Sequence, residues 1–266
     1  MKKILLYAVG CVVIVLCVVC YFVFIQTREL QECKNEQDKI SGCVERKYDT
    51  FEDVWSETRY EYGKQHGVAK EYYKNGKLKF EIPYENGKQH GVTKVYYENG
   101  NLEYETPFEN DKQHGVQKGY YKNGNLEHET PFENGEIHGV EKVYYESGNL
   151  EYETLYENGE QNGVQKVYYE DGKLMSEIPF ENGEQNGANK GYYENGKLEY
   201  EIYYKTSKRH GVGKVYYENG NLQAQVTYEN GSAVSGVCGD GKKIPNIQGL
   251  EEWRDITRKI SESCGE

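Results

Sequence analysis

Gly67-Val-Ala-Lys-Glu-Tyr-Tyr-Lys-Asn-Gly-Lys-Leu-Lys-Phe-Glu-Ile-Pro-Tyr-Glu-Asn-Gly-Lys-Gln-His90 is one period of a phrase that recurs along the chain. Its opening glycines, Gly67, Gly91, Gly115, Gly139, Gly163, Gly187 and Gly211, fall 24 residues apart without a slip. A fixed period of this length marks small units stacked in series, not one closed globular core. The expected fold is mainly β, an elongated antiparallel array of β-hairpin repeats. An array offers a long surface, so binding or scaffolding is the expected role and an enzyme is not.

Inside the quoted unit, Val68 to Tyr73 is rich in β-formers and Leu78 to Tyr84 reads as a second strand. Asn75-Gly76 between them is the favoured two-residue type I′ turn. That loop sets a register in which Tyr73 faces Leu78, Glu71 faces Phe80, Lys70 faces Glu81 and Tyr84 faces Gly67. The same register pairs Lys94 with Glu105, Lys118 with Glu129, Lys142 with Glu153, Lys166 with Glu177 and Lys190 with Glu201. In the last unit Lys214 meets Gln225. Cross-strand pairs of this kind contribute about 0.2–1 kcal/mol each and chiefly specify register. The aromatic opposite each opening glycine covers bare backbone. Alternation puts Tyr73, Leu78 and the 71/80 pair on the more buried face; Tyr72, the Lys–Glu pair and the Val68–Pro83 pair take the other. Pro83, Pro107, Pro131 and Pro179 cannot donate to a ladder and are expected to end their strands.

The flanks differ from the array. Ile4 to Ile25 is an uncharged apolar run of 22 residues, long enough to span a bilayer as a helix. Lys2 and Lys3 before it place the N-terminus in the cytoplasm and the repeats on the periplasmic or extracellular side. Residues 1–25 thus read as a transmembrane signal-anchor, 26–59 as a stalk and degenerate N-terminal cap, 60–235 as the repeats and 236–266 as a C-terminal cap. Leu250, Trp253, Ile256 and Ile260 fall at helical spacing, an amphipathic helix able to cover the last strand. Cys33, Cys43, Cys238 and Cys264 flank the array without entering it. In an extended array, bridges between its two ends exceed the reach of a disulfide, so Cys33–Cys43 and Cys238–Cys264 are expected.

Composition narrows the partners. The chain of 266 residues carries a net charge of −12, a balance that repels nucleic acid and anionic headgroups and favours basic partners. Aliphatic residues are scarce, and 27 tyrosines take their place as ring area that keeps a hydroxyl in water. No nucleophile, metal-protease, P-loop or dinucleotide motif occurs, and no cofactor or metal is expected. His66, His90, His114, His138 and His210 precede repeat glycines. Asn162 and Asn186 fill the same slot, which suits a turn position tolerating left-handed backbone better than a metal ligand.

The phrase Tyr-Tyr-x-Asn-Gly-x-Leu, followed by Glu and aromatic-Glu-Asn-Gly, resembles the bacterial variant of the MORN repeat over about residues 60–231. Bacterial proteins built of such units are commonly labelled as the antitoxin half of a toxin–antitoxin pair, the YwqK type. The resemblance implies neutralisation of a partner by binding and supplies no catalytic residues. Three roles follow: a membrane-tethered protein-binding or envelope scaffold module, an antitoxin or immunity protein occluding a basic toxin, and a carbohydrate-binding surface.

Overall fold

The computed structural model describes residues 30–50 and 54–265. The expected membrane segment lies outside them; among the described residues no helix is long and apolar enough to cross a membrane. The described chain forms one 24-stranded antiparallel sheet and two helices, α1 (Glu36–Ser41) and α2 (Trp253–Cys264). Each of the first six units contributes a six-residue strand, an eight-residue strand and a two-residue strand, as in Gly67–Tyr72, Leu78–Glu85 and Lys88–Gln89; in the seventh the last strand is Ser232–Cys238. Hairpin follows hairpin, with Glu81 of one unit opposite Lys94 of the next.

The turns differ from the sequence expectation. The hydrogen bond from Gly76 N to Tyr73 O (2.8 Å) and that from Tyr73 N to Lys77 O (2.7 Å) enclose a three-residue loop, Lys74-Asn75-Gly76. Asn75 Oδ1 accepts from Lys77 N at 2.9 Å, and Gly76 supplies the left-handed residue (φ 81°). This is the type I turn with a glycine bulge. Leu78 therefore faces Tyr72 and not Tyr73, and a one-residue bulge then restores Glu71 opposite Phe80 and Lys70 opposite Glu81. The type I′ turn sits at the unit's other Asn-Gly, where Asn86 (φ 54°) and Gly87 (φ 85°) are both left-handed.

Proline does not end its strand: Pro83 lies inside Leu78–Glu85, opposite Val68. Its carbonyl accepts from His90 N at 3.0 Å, so its donorless nitrogen points to that same side, where the short strand breaks before Gly91. The ladder loses nothing there. The histidine slot is also not left-handed; the glycine after it is, as at Gly67 (φ 82°) and Gly91 (φ 108°).

Both ends are closed. Val44 exchanges main-chain bonds of 2.9 Å with Gln31 and Cys33, and Cys33 is disulfide-bonded to Cys43. Cys43–Asp49 pairs with Val54–Glu61, and Glu45, Arg46 and Lys47 charge its outer rim, which discourages edge-to-edge pairing. Among the described residues of the expected stalk, Glu36–Ser41 is helical, capped by Asn35 Oδ1 accepting from Gln37 N and Asp38 N. At the far end Leu222–Glu229 pairs with Ser232–Cys238 through a one-residue bulge beside Thr227 and Tyr228, so Gly236-Val237-Cys238 begins a further unit one residue out of phase. The cap divides its work. The loop 242–250 bonds the edge strand through Cys238, Gly236 and Ala233. Helix α2 covers the sheet face, burying Ile256 and Ile260 against Ile202, Ala224, Val226 and Tyr228. Cys238 and Cys264 join strand to helix.

Two type I′ repeat turns depart from Asn-Gly: Asn110-Asp111 keeps residue types that tolerate left-handed backbone, and Thr206-Ser207 does not. Thr206 (φ 47°) and Ser207 (φ 59°) occupy the type I′ positions, and a β-branched residue is disfavoured there. The double substitution Thr206→Asn with Ser207→Gly is expected to raise stability by about 1–2 kcal/mol. Denaturant titration followed by Trp253 fluorescence checks it; an unchanged or lower midpoint contradicts the strain.

Candidate functional site

Period-two alternation sorts each unit onto two unlike faces. The inner face carries the aromatic row of Tyr84, Phe108, Phe132, Tyr156, Phe180, Tyr204 and Tyr228 beside a row of small or branched residues. Thr106, Thr130 and Thr154 of that second row are buried. Where a strand has glycine, the opposed ring lies on it: a Cβ at Gly119 would meet the His128 ring at 2.1 Å, and one at Gly191 the Tyr200 ring at 2.2 Å. A second set of tyrosines stitches units together. The hydroxyls of Tyr97, Tyr121, Tyr145, Tyr169 and Tyr193 donate to the carbonyls of Tyr120, Tyr144, Tyr168, Tyr192 and Tyr216 at 2.6–2.8 Å. Tyr217 donates to Cys264 O, the end of α2, at 2.6 Å. No residue type marks these bonds in the sequence, because every acceptor is a main-chain carbonyl.

The outer face runs in parallel rows across the strands. Its charged row is continuous: each lysine lies between the glutamate of its own hairpin and that of the preceding one. Lys94 faces Glu105 and Glu81, Lys118 faces Glu129 and Glu105, and Lys142 faces Glu153 and Glu129. Lys166 faces Glu177 and Glu153, and Lys190 faces Glu201 and Glu177. Contact distances include 3.0 Å for Lys70–Glu81, 3.9 Å for Lys118–Glu105 and 3.7 Å for Lys166–Glu153. Half-exposed pairs of this kind act mainly on register.

Tyrosines lock the same glutamates. Tyr120, Tyr144, Tyr168 and Tyr192 donate to Glu105, Glu129, Glu153 and Glu177 at 2.8–3.1 Å. Burial, then the hydrogen bond and charge of Glu105, push the Tyr120 phenol up to about 12. Burial and Glu177 raise Tyr192 to about 12 in the same way. On the other side of the charged row runs an aliphatic one. Val68–Pro83, Val92–Pro107, Val116–Pro131, Val140–Leu155 and Val164–Pro179 are opposed pairs in line over ten strands. The valines are 37–47% exposed, on a face that no other described element covers. At the turn edge beyond it, glutamates meet the histidine or asparagine slot: His66–Glu61 at 3.5 Å, His90–Glu85 at 3.8 Å and Asn162–Glu157 at 2.9 Å. Among the described residues no group of three or more His, Cys, Asp or Glu is placed to hold a metal.

The geometry of turn, bulge and glycine recurs in every unit, and the model of the MORN repeat variant matches seven times. The matches span residues 65–86, 89–110, 113–134, 137–158, 161–182, 185–206 and 209–230, more than half of the chain. The chain belongs to the MORN repeat variant family. No curated protein matches it. In this MORN variant sheet the lysine–glutamate rows run as a ladder across the strands, and the aliphatic row beside them is exposed. The register expected from the sequence already places Val68 opposite Pro83, on the less buried face, without giving the pair a role. The signal was that the slot stays apolar through ten strands on the face read as solvated.

Two outcomes follow. Lys142→Glu, which lines up like charge between Glu129 and Glu153, is expected to cost about 1–2 kcal/mol locally. Hydrogen exchange should quicken in residues 126–157 and stay unchanged in distant units; cooperative loss of the whole array contradicts it. The raised phenols also make a pH test. An ordinary phenol titrates near 10, and the folded chain holds these protons to about 12. Their stabilisation is therefore complete below about pH 10 and is lost as pH rises through about 12. Tyr120→Phe with Tyr192→Phe should flatten the fall in melting temperature over that window.

Proposed function

We propose that this chain is a non-enzymatic binding protein that engages a protein partner along the outer face of its MORN repeats. The observation that carries this reading is the uncovered row of Val, Pro and Leu in line over ten strands. Contiguous exposed apolar ground of this kind marks interaction sites. MORN repeats are commonly protein- or membrane-binding modules. A headgroup surface fits this face poorly, since lysine and glutamate balance along one side of the aliphatic row and glutamate opposes glutamate at three turns on the other. Carbohydrate stacking needs free aromatic faces and hydroxyls, and the tyrosine hydroxyls here are held by carbonyls and carboxylates. The apolar run Ile4–Ile25 tethers the array to a membrane with the repeats on the extracytoplasmic side, which makes the protein an envelope scaffold or recruiting module.

The glutamate-bordered face also favours a second reading, an antitoxin or immunity protein that occludes a basic toxin. In-cell crosslinking and pull-down of the full-length tagged protein separates the two. A single basic protein recovered in fixed ratio indicates a neutralising pair, and several envelope proteins indicate a scaffold. In either case Val140→Ser with Val164→Ser is expected to cut recovery severalfold while leaving the circular dichroism spectrum unchanged. Undiminished recovery from that variant would remove the outer face from the binding site.

A further inference from the structure

The turn edge beside the aliphatic row changes its charge pattern part-way along. In its first three turns a glutamate stands opposite a lysine: Glu61 and Lys64, Glu85 and Lys88, Glu109 and Lys112. The next three oppose glutamate to glutamate: Glu133 and Glu136, Glu157 and Glu160, Glu181 and Glu184. The following turn reverses sign, with Lys205 opposite Lys208. Like charges directly opposite one another destabilise a strand pair. Folding does not require them, because the first three turns adopt the same conformation with lysine in that slot. All six glutamates are exposed, and their turns contain no lysine or arginine. The apolar ground beside them is Pro131, Val140, Leu155, Val164 and Pro179.

We propose that this stretch of the aliphatic row docks an extended basic segment of a partner protein, laid across the strands. The inference rests on the outer-face reading above and adds the chemistry of the occupant. Apolar atoms of the segment cover Val140, Leu155 and Val164, and its Lys or Arg side chains meet the opposed glutamates. Long basic side chains suit both demands, since their stems lie on apolar ground while the charge reaches past it. Spacing fixes the pattern. Equivalent positions in successive units are two strands apart, about 9.6 Å. A polyproline II chain advances about 9.3 Å in its three-residue turn, so a cation at every third position meets one glutamate pair after another. The same carboxylates repel nucleic acid and anionic lipid, which leaves a basic polypeptide as the occupant.

Fluorescence anisotropy tests this with the full chain in zwitterionic detergent. The probe is a labelled peptide with lysine at every third position between valine and proline. Wild type should bind it, more weakly as ionic strength rises. The triple variant Glu136→Lys, Glu160→Lys, Glu184→Lys recreates the pairing of the first three turns; it should keep its melting temperature and lose about tenfold or more in affinity. The control is Glu146→Lys, Glu170→Lys, Glu194→Lys at the opposite edge of the sheet, where Lys74 and Lys122 occupy the equivalent slot. It makes the same change in net charge and should keep affinity within about twofold. No binding by wild type, or equal loss in both variants, overturns the proposal. If the pull-down partner still depends on Val140 and Val164 but ignores the first triple variant, the basic segment is wrong and the protein-binding reading stands.

Discussion

The array depends on coupling between neighbouring units, which a tyrosine hydroxyl reaching the main chain of the next unit supplies beside the strand pairing there. Hydrogen bonds within a hairpin form whether or not a neighbour is present, whereas Tyr121 to Tyr144 O exists only between units. A single hairpin is marginal in water, and three or more strands with a covered face are needed for independent stability. The hydroxyl supplies that coupling where aliphatic residues are few, because it meets a carbonyl at the end of a six-residue strand. Its last instance, Tyr217 to Cys264 O, ties α2 to the sheet by the same means. The cap thus takes the place of a further unit, and it brings the largest apolar cluster in the described chain.

The two faces divide labour as a consequence. The inner face spends its aromatics on neighbouring units and on glycine backbone, and its threonines are closed off from water. The outer face holds a charged ladder that specifies register and leaves its aliphatic row uncovered. A partner can therefore be met on one side without disturbing the contacts that hold the units together. Departures from local rules include Thr206-Ser207 in left-handed backbone, where Lys205 also opposes Lys208, and glutamate opposed to glutamate over three turns. The first is confined to a single turn. The second extends along the row that carries the binding proposal, as expected of departures kept for function.

Much of the fold was legible in the sequence because period and alternation are strong signals. The turn type was not, since Asn-Gly or a close variant of it occupies both turns of a unit, as at Asn75-Gly76 and Asn86-Gly87, and only backbone dihedrals tell the two apart. A two-residue loop without a bulge, and a three-residue loop followed by one, both bring Lys70 opposite Glu81; they differ only at Tyr72, Tyr73, Leu78 and Lys79. Proline misled for a similar reason. Its missing donor matters only if a partner strand lies on that side, and the break before Gly91 removes the partner. The hydroxyl-to-carbonyl bonds were invisible because a main-chain acceptor leaves no residue-type trace. The aliphatic row was visible but unread, because valine in a strand is ordinary until its exposure is known.

The position of the disulfides carries a last consequence. Cys33–Cys43 and Cys238–Cys264 each lock one end, and no bridge joins the ends or enters the repeats. Everything between them is held by contacts from one unit to the next, so a whole period can be inserted or removed with each tyrosine still finding a carbonyl. The span would change in steps of about 9.6 Å while both ends keep their own closures. Reach is thus a property that duplication of a 24-residue segment can adjust without redesigning any contact.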